Sequence, residues 1–537
     1  MPTSPSAGAF APLRHPVFRS LWIANLASNT GMWIQNTGAG WLMTSLAPSP
    51  LMVSLVQAAA MLPVFLFALP GGALADILDR RLTLIAAQLW IALMGVLLAL
   101  LAAADALGPW GLLALTFAIG AGTALNFPAW AATTPELVPR EDLVGAIALN
   151  GIGFNLARAL GPALGGFVLA AAGPAAAFAL NALAFFALLG ALVAWRRPAG
   201  LRATMPRERL LGAMRAGLRF VAAAPAMRAA ILRACAFFFF ASAVWALLPV
   251  VVRERLGLGP TVFGLMLAVV GAGAVAAGAV MPAVRTRLAR GSLVFWATLL
   301  ACAAMALLGL ATHWAFAAVA MLVYGAAWLA AGSTLQVSAQ LATPAWVRAR
   351  GLGIYQLCFF GALAFGSVVW GWAGAALGLP VALSLCAGLG AVAAIAVRPW
   401  RLEGGGAPAA APLPTAVPLP RPEAPALELT DLLHDHSGRV LELVRYHVDP
   451  ADRVAFLAVM AEVRQVRLRC GAVVWRLYED VAHPERWAEI WTVESWTEHL
   501  REATRLGEAD RALLARATAL HRGDGPAEAA RYLNVAP

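Results

Sequence analysis

Residues 80–105 read Arg80-Arg81-LTLIAAQLWIALMGVLLALLAAA-Asp105, 23 uncharged residues between two arginines and an aspartate. A helix rising 1.5 Å per residue crosses about 30 Å of hydrocarbon with about 20 such residues, so this stretch reads as a membrane span anchored at both ends. Working outward, blocks of the same kind recur at 19–44, 51–75, 82–104, 111–134, 143–171 and 175–195. A second set follows at 231–252, 261–283, 293–311, 315–338, 351–377 and 380–397. In lipid each segment must satisfy its own backbone N–H and C=O groups, so the blocks are helices. The fold class is an all-α polytopic membrane protein of about 12 transmembrane helices in two six-helix halves.

Composition agrees: 61% of the 537 residues are hydrophobic and 12% charged, too little charge to cover a soluble surface. Residues 1–19 are polar, Pro-rich and basic, without the short apolar core and small-residue site of a cleaved leader, so the first span is expected to stay in the protein. All 39 basic residues are arginine. Residues 1–400 carry 23 of them against 8 acids, and residues 401–537 carry 16 against 20 acids. A basic membrane half over an acidic tail fits arginine-anchored loops, not a nucleic-acid surface. Counting loops from an inside N-terminus, Arg14, Arg19, Arg80, Arg81, Arg140, the run Arg196 to Arg233, Arg285, Arg287, Arg290, Arg348, Arg350 and Arg398 fall inside. Only Arg253 and Arg255 fall outside, which places both termini in the cytoplasm of a bacterial inner membrane.

Five domains follow: an N-terminal six-helix bundle (1–200), an inter-bundle loop (201–230), a C-terminal six-helix bundle (231–400), a Pro/Gly/Ala linker (401–429) and a soluble domain (430–537). In the loop Leu210, Leu211, Met214, Leu218 and Val221 recur at helical spacing, so it is an amphipathic cytoplasmic helix that anchors and hinges the halves. The halves repeat at an offset of 205 residues, which lays Arg80 on Arg285, Gly161 on Gly366, Gly166 on Gly371, Ala170 on Ala375 and Gly173 on Gly378. Two six-span repeats joined by a basic loop are the layout of transporters that rock around a central site. In the soluble part the order β-α-β-β-α-β, with strands at 440–447, 471–479, 487–493 and 530–535 and helices at 452–469 and 496–521, points to a small α+β ferredoxin-like domain.

Between spans two and three, Gly72, Leu74, Asp76, Arg80 and Arg81 resemble the cytoplasmic-loop signature of the major facilitator superfamily, with Ile77 and Asp79 departing from it. An aspartate near a helix end can accept bonds from helix N-termini and pair with arginine, so Gly72, Asp76, Arg80 and Arg81 form a candidate conformational latch. In span five, Gly161-Pro162-Ala-Leu-Gly165-Gly166 resembles the GPxxGG signature of exporters in that superfamily. Residues 13–400 are similar to its secretion-effector branch, which includes siderophore exporters, through FRSLW at 18–22, Pro135-Glu-Leu-Val-Pro139-Arg140 and Asn155-Leu-Ala-Arg158. From Tyr446 to Arg501 the tail resembles an extension found in that branch, and its strand order is similar to dimeric antibiotic-biosynthesis-monooxygenase-type domains.

The resemblance implies a central cavity lined by spans one, four, seven and ten. The candidate cavity residues are Asn25, Asn29, Trp33 and Asn36 of span one, Asn126 and Trp130 of span four, Ser242 and Trp245 of span seven, Tyr324 and Trp328 of span ten, and Arg158 of span five. Arg158 is the one charged residue well inside a span, and it must face a cavity, an anionic ligand or a helix-bridging partner. No aspartate or glutamate lies at mid-depth, so the coupling ion stays open. The cysteines form no CxxC pair, and His434, His436, His447, His483, His499 and His521 lack ligand spacing and read as scattered surface residues. No metal, cofactor or catalytic residue is expected. The function expected is export of a small organic compound by alternating access, with homodimerisation through the soluble domain. The rival readings are fusion to an active monooxygenase-like enzyme and a non-transporting scaffold or receptor.

Overall fold

The computed structural model describes residues 10–77, 80–139, 141–195, 210–344, 347–402, 419–420, 422–424 and 438–534. Its first long helices are α1 (Pro16–Leu46), α2 (Pro50–Ile77), α3 (Arg80–Ala103), α4 (Pro109–Leu137) and α5 (Leu143–Ala194). After a short α6 (Leu210–Ala223) come α7 (Pro225–Val250), α8 (Pro260–Arg287), α9 (Arg290–Leu310), α10 (Trp314–Leu341), α11 (Arg348–Leu377) and α12 (Leu379–Ala396). Proline opens α1, α4 and α8, where its missing N–H is one that a helix start leaves unpaired in any case.

Among the described residues nine helices are long and apolar enough to cross a membrane by length and composition. One of them, the 50-residue apolar stretch Gly145–Ala194, is twice the necessary length. It holds the fifth and sixth spans expected from sequence, and Gly173 breaks it with φ +77°. Gly378, 205 residues on, stands between α11 and α12 with φ +82°. Both positions need the left-handed backbone that a Cβ disfavours, so the sequence repeat is also a conformational one. Helix α1 falls outside the nine because its amides dilute its hydropathy, although its 31 residues reach well beyond a bilayer core.

Two compact units emerge. One contains α1–α5, α8, α9, α12 and most of α7, α10 and α11. The other gathers α6, the first turn of α7, residues around Thr343 and the soluble domain. The amphipathic helix between the bundles therefore belongs with the soluble domain.

That domain runs β1 (Val440–His447), α13 (Arg453–Cys470), β2 (Val474–Glu479), β3 (Arg486–Val493), α14 (Trp496–Arg505), α15 (Glu508–Ala519) and β4 (Glu528–Leu533). The sheet order is β2-β3-β1-β4, antiparallel throughout, which is the ferredoxin-like topology. The helix expected over 496–521 is two helices. It breaks at Gly507, whose N–H donates to Asp510 Oδ2 at 3.1 Å and starts α15 afresh. Alternate residues of β1 and β3 face the helices, and Val440, Tyr446, Phe456, Met460, Val463, Trp487, Trp491 and Trp496 form the core.

Candidate functional site

Helix α5 packs on two neighbours through small residues. A Cβ at Gly161 would lie 2.5 Å from Trp33 Cβ, and one at Gly165 would lie 3.1 Å from Ile34 Cα, so α1 seats directly on this face. On another face, a Cβ at Gly166 would lie 2.8 Å from Gly264 Cα and Pro260 O, and one at Gly271 would lie 3.0 Å from Ala159 Cα, so α8 seats there. The four residues Gly161, Pro162, Gly165 and Gly166 thus serve two close helix contacts at once. Leu156, Leu160, Leu164 and Phe167 are 43–66% exposed and form the outward apolar stripe.

At about 100° per residue, Arg158 lies about 160° from the centre of that stripe, between the α1-facing and α8-facing residues. It is half-buried. Among the described residues it makes no hydrogen bond or ion pair. The same close approach sets its depth: Gly161 faces Thr30 and Trp33, so Arg158 lies one turn away, level with Asn29.

The aromatic residues singled out in spans one, seven and ten meet. Trp33 and Trp245 ring centroids are 6.0 Å apart, Trp245 and Trp328 5.5 Å, and Trp328 and Tyr324 5.9 Å. Phe238, on the same face of span seven as Ser242 and Trp245, continues the wall from Trp328 (5.1 Å) to Phe359 (4.4 Å), and Phe359 is the residue that sequence reasoning missed. Its signal was the Phe359-Phe360 pair in span eleven. Tyr324 is fully buried and its hydroxyl donates to Ala241 O at 2.6 Å. The Trp245 indole N–H is buried beside the Tyr324 hydroxyl and, among the described residues, makes no hydrogen bond of full geometry.

The polar candidates divide. Asn29 Nδ2 donates to Asn25 O at 2.8 Å, and Asn36 is half-buried. Asn126 Oδ1 accepts from Gln88 Nε2 at 3.1 Å, and Trp130 packs beside Leu21 and Leu84. Ser242 is fully buried, donates to Phe239 O at 2.7 Å and abuts Gly366, so it serves the α7–α11 contact. Also missed from sequence is the pair Gln35 with Asn181, both buried, with Asn181 Nδ2 donating to Gln35 Oε1. Amides inside apolar runs were its only signal.

The halves also meet toward the Pro50/Pro260 end. Gly166 abuts Pro260 O and Gly264, while Gly371, its repeat partner, abuts Pro50 O and Ser54. Each glycine therefore meets a helix-opening proline and the residue four positions after it. Arg253 Nη1 donates to Thr44 Oγ1 at 2.8 Å and to Ser45 Oγ, and Trp41 stacks on Phe263 at 5.8 Å. For the latch, the side chains of Gly72, Asp76 and Arg80 lie outside the described residues. Arg81 donates to Leu192 O (3.2 Å) and Val193 O (2.7 Å), tying α3 to the end of α5. Arg233 does comparable work in the other half, donating to Gly291 O and Arg398 O, both at 2.9 Å.

In the soluble domain α6 meets α13, and Arg219 of α6 pairs with Glu494 at 2.6 Å. Its interior holds three carboxylates. Arg467 pairs with Glu489 (2.9 Å) and Glu502 (3.1 Å) and lies 3.6 Å over the Trp491 ring. Trp475 and Trp491 donate to Glu489 and Glu502, and Tyr446 donates to Glu489. His499, expected on the surface, is instead 14% exposed, with Nδ1 2.7 Å from Glu442 and Nε2 accepting from Arg531 at 2.9 Å. Burial first, then the neighbouring Glu442, pushes the Glu502 carboxyl up to about 7 against the pull of Arg467. Metal-ligand atoms of Glu442, His499 and Glu502 lie within 4.8 Å of one another. Both Glu502 oxygens and both His499 nitrogens already have partners, so the group reads as an internal ion-pair network.

A sequence model of the family described as transmembrane secretion effector matches residues 7–537. The enterobactin exporter EntS of Shigella boydii serotype 18 is 29% identical over 385 residues, covering 70% of this chain and 89% of that protein. An uncharacterized MFS-type transporter, YfiS of Bacillus subtilis, is 28% identical over 271 residues, covering 49% of this chain and 64% of that protein. Among solved structures, a POT family transporter in complex with 5-aminolevulinic acid covers 73% of this chain and 97% of its own, with TM-score 0.61 and 13% identity. A bacterial homolog of the human lysosomal transporter Spinster, inward-facing and unoccupied, covers 72% of this chain and 95% of its own, with TM-score 0.56 and 15% identity. These likenesses place the chain in the major facilitator fold.

Proposed function

This chain belongs to the transmembrane secretion effector family, and on that premise we propose that it exports a small organic compound across a bacterial inner membrane by alternating access. One observation carries the mechanism. Repeat-related glycines of the two halves, Gly166 and Gly371, make the same close contact at the same end, so the halves can part and close there as a symmetric pair. By arginine placement that end faces outward and both termini are cytoplasmic. The cavity then lies between Arg158 on α5, Asn25, Asn29 and Asn36 on α1, Asn126 and Trp130 on α4, and the Trp33–Trp245–Trp328 wall. Gly72, Asp76, Arg80 and Arg81 latch one state.

Export follows from the named function of the enterobactin exporters among the relatives. The soluble domain acts as a regulator holding α6 through Arg219–Glu494, and its sheet offers a homodimer face. Catalysis by that domain is disfavoured by its interior, which the Arg467–Glu489–Glu502 network fills.

The test is accumulation of fluorescent efflux substrates and siderophore-type chelators in a pump-deficient bacterium. Expression of the chain lowers accumulation of at least one compound, and dissipating the ion gradients restores it. A chain that reaches the membrane but moves none of them with a gradient sinks the proposal. Turnover of a quinone-like substrate with oxygen by the full chain would favour the enzyme-fusion reading.

A further inference from the structure

Arg158 has a helix contact on either side, yet it has no partner among the described residues. The nearest acid on its own helix start is Asp142, 16 positions earlier and about 24 Å along the axis. Asp142 is also engaged, 2.8 Å from His15 Nε2. The other acids of residues 1–400 are Asp76, Asp79, Asp105, Glu136, Glu141, Glu208 and Glu254, none of them in the middle of a span. A guanidinium at this depth is costly without a counter-charge, and none pairs with it among the described residues.

One turn further along α5, the helix meets the start of an aromatic wall. One turn away, Trp33 begins a wall that runs through Trp245 to Trp328 at centroid spacings of 6.0 and 5.5 Å. The Trp245 indole N–H in that wall is buried beside the Tyr324 hydroxyl. Arg158 is a charged donor left unused, among the described residues, one turn from flat apolar surface. We propose that the central cavity takes an aromatic organic anion, whose negative group is held by Arg158 while its ring lies against Trp33 and Trp245. This rests on the alternating-access reading and adds the ligand's charge class to it. The guanidinium fork matches a carboxylate, sulfonate or catecholate oxygen pair in two parallel hydrogen bonds. A cation placed there meets like charge. A neutral aromatic keeps the stacking but leaves Arg158 unneutralised, so the anion is preferred.

The experiment uses the purified full chain in detergent and three ring-matched probes: 2-naphthoate, 2-naphthamide and naphthalene-2-carboxamidinium. Binding is read by calorimetry. Wild type binds naphthoate at least about tenfold more tightly than naphthamide, the weight of one charge-assisted hydrogen bond, and the amidinium least. Arg158→Gln abolishes the preference, Arg158→Lys retains part of it, and Trp245→Leu weakens naphthoate and naphthamide alike. Each variant is checked for the wild-type thermal transition, so loss of fold is separated from loss of site. Equal binding of the three probes, no binding of any, or an Arg158→Gln variant that keeps the anion preference overturns the inference. Gradient-dependent flux measured separately distinguishes the two levels. Export of neutral or cationic compounds without anion preference overturns only the charge class, whereas anion binding without flux overturns only transport.

Discussion

Replacing Gly166 with alanine should shift the transporter toward the state open at the Pro50/Pro260 end. A Cβ at position 166 would lie 2.8 Å from Gly264 Cα and from Pro260 O, closer than carbon tolerates, and both atoms are backbone. No side chain can swing away, so α5 and α8 must separate. Overpacking of this kind costs about 1–3 kcal/mol. The cost falls only on the state in which the halves touch, so the open state gains by about five- to 150-fold in relative population. Gly165→Ala is the control. Its Cβ would press on Ile34 Cα and Thr37 Cβ at 3.1 Å, a contact inside one half, so it lowers stability without favouring either state. Gly371→Ala should reproduce the Gly166 effect, because it presses on Pro50 O and Ser54. The reporter is Met43→Cys, at a fully buried position of α1, in a chain whose five native cysteines are replaced. Alkylation by a membrane-impermeant maleimide should accelerate by the stated factor in the Gly166 and Gly371 variants and stay at the reference rate in the Gly165 variant. Equal rates in all three would refute the idea that this contact seals the end.

Two further outcomes concern the soluble domain. Arg219→Glu should release α6 from the soluble domain and raise hydrogen exchange of α6 and α13, at a cost of about 1 kcal/mol for a pair with side chains 26% and 29% exposed. The swap with Glu494→Arg should restore protection, and a swap that fails to do so removes the ion pair as the cause. Glu502 gives a pH signature. Its folded pKa of about 7 lies above the ordinary carboxylate value, so the native state holds a proton that the unfolded state has already lost. Stability therefore falls as pH rises between about 4.5 and 7, by at most about 3 kcal/mol, and is flat above that. Exchange of the β1 and β3 amides in the full chain should accelerate across this window, and Glu502→Gln should flatten the dependence. A glutamine variant with an undiminished slope assigns it elsewhere.

Parts of this molecule were legible because their causes are local. Gly173 and Gly378 could be paired from a 205-residue offset, and each is the glycine that its own tight turn between consecutive spans holds at positive φ. The strands of the soluble domain showed as period two. The break at Gly507 was hidden, because the apolar spacing runs on through it and only the Asp510 cap decides the restart. His499 was misplaced for a similar reason. Nothing near it in sequence shows that Glu442 and Arg531, from two distant strands, close around its ring.

The sequence by itself determined the number and length of the spans, the two related halves and the small residues of span five. Lipid forces each helix to satisfy its own backbone, so these features are written segment by segment. Only the tertiary structure decided that Gly161 and Gly165 meet α1 while Gly166 meets α8, that Ser242 is spent on helix packing, and that Arg158 is left facing the sector between two helices. Those outcomes depend on rotations and registers among helices far apart in the chain. One polar residue in a span looks the same in sequence whether its partner is a neighbouring helix or a ligand.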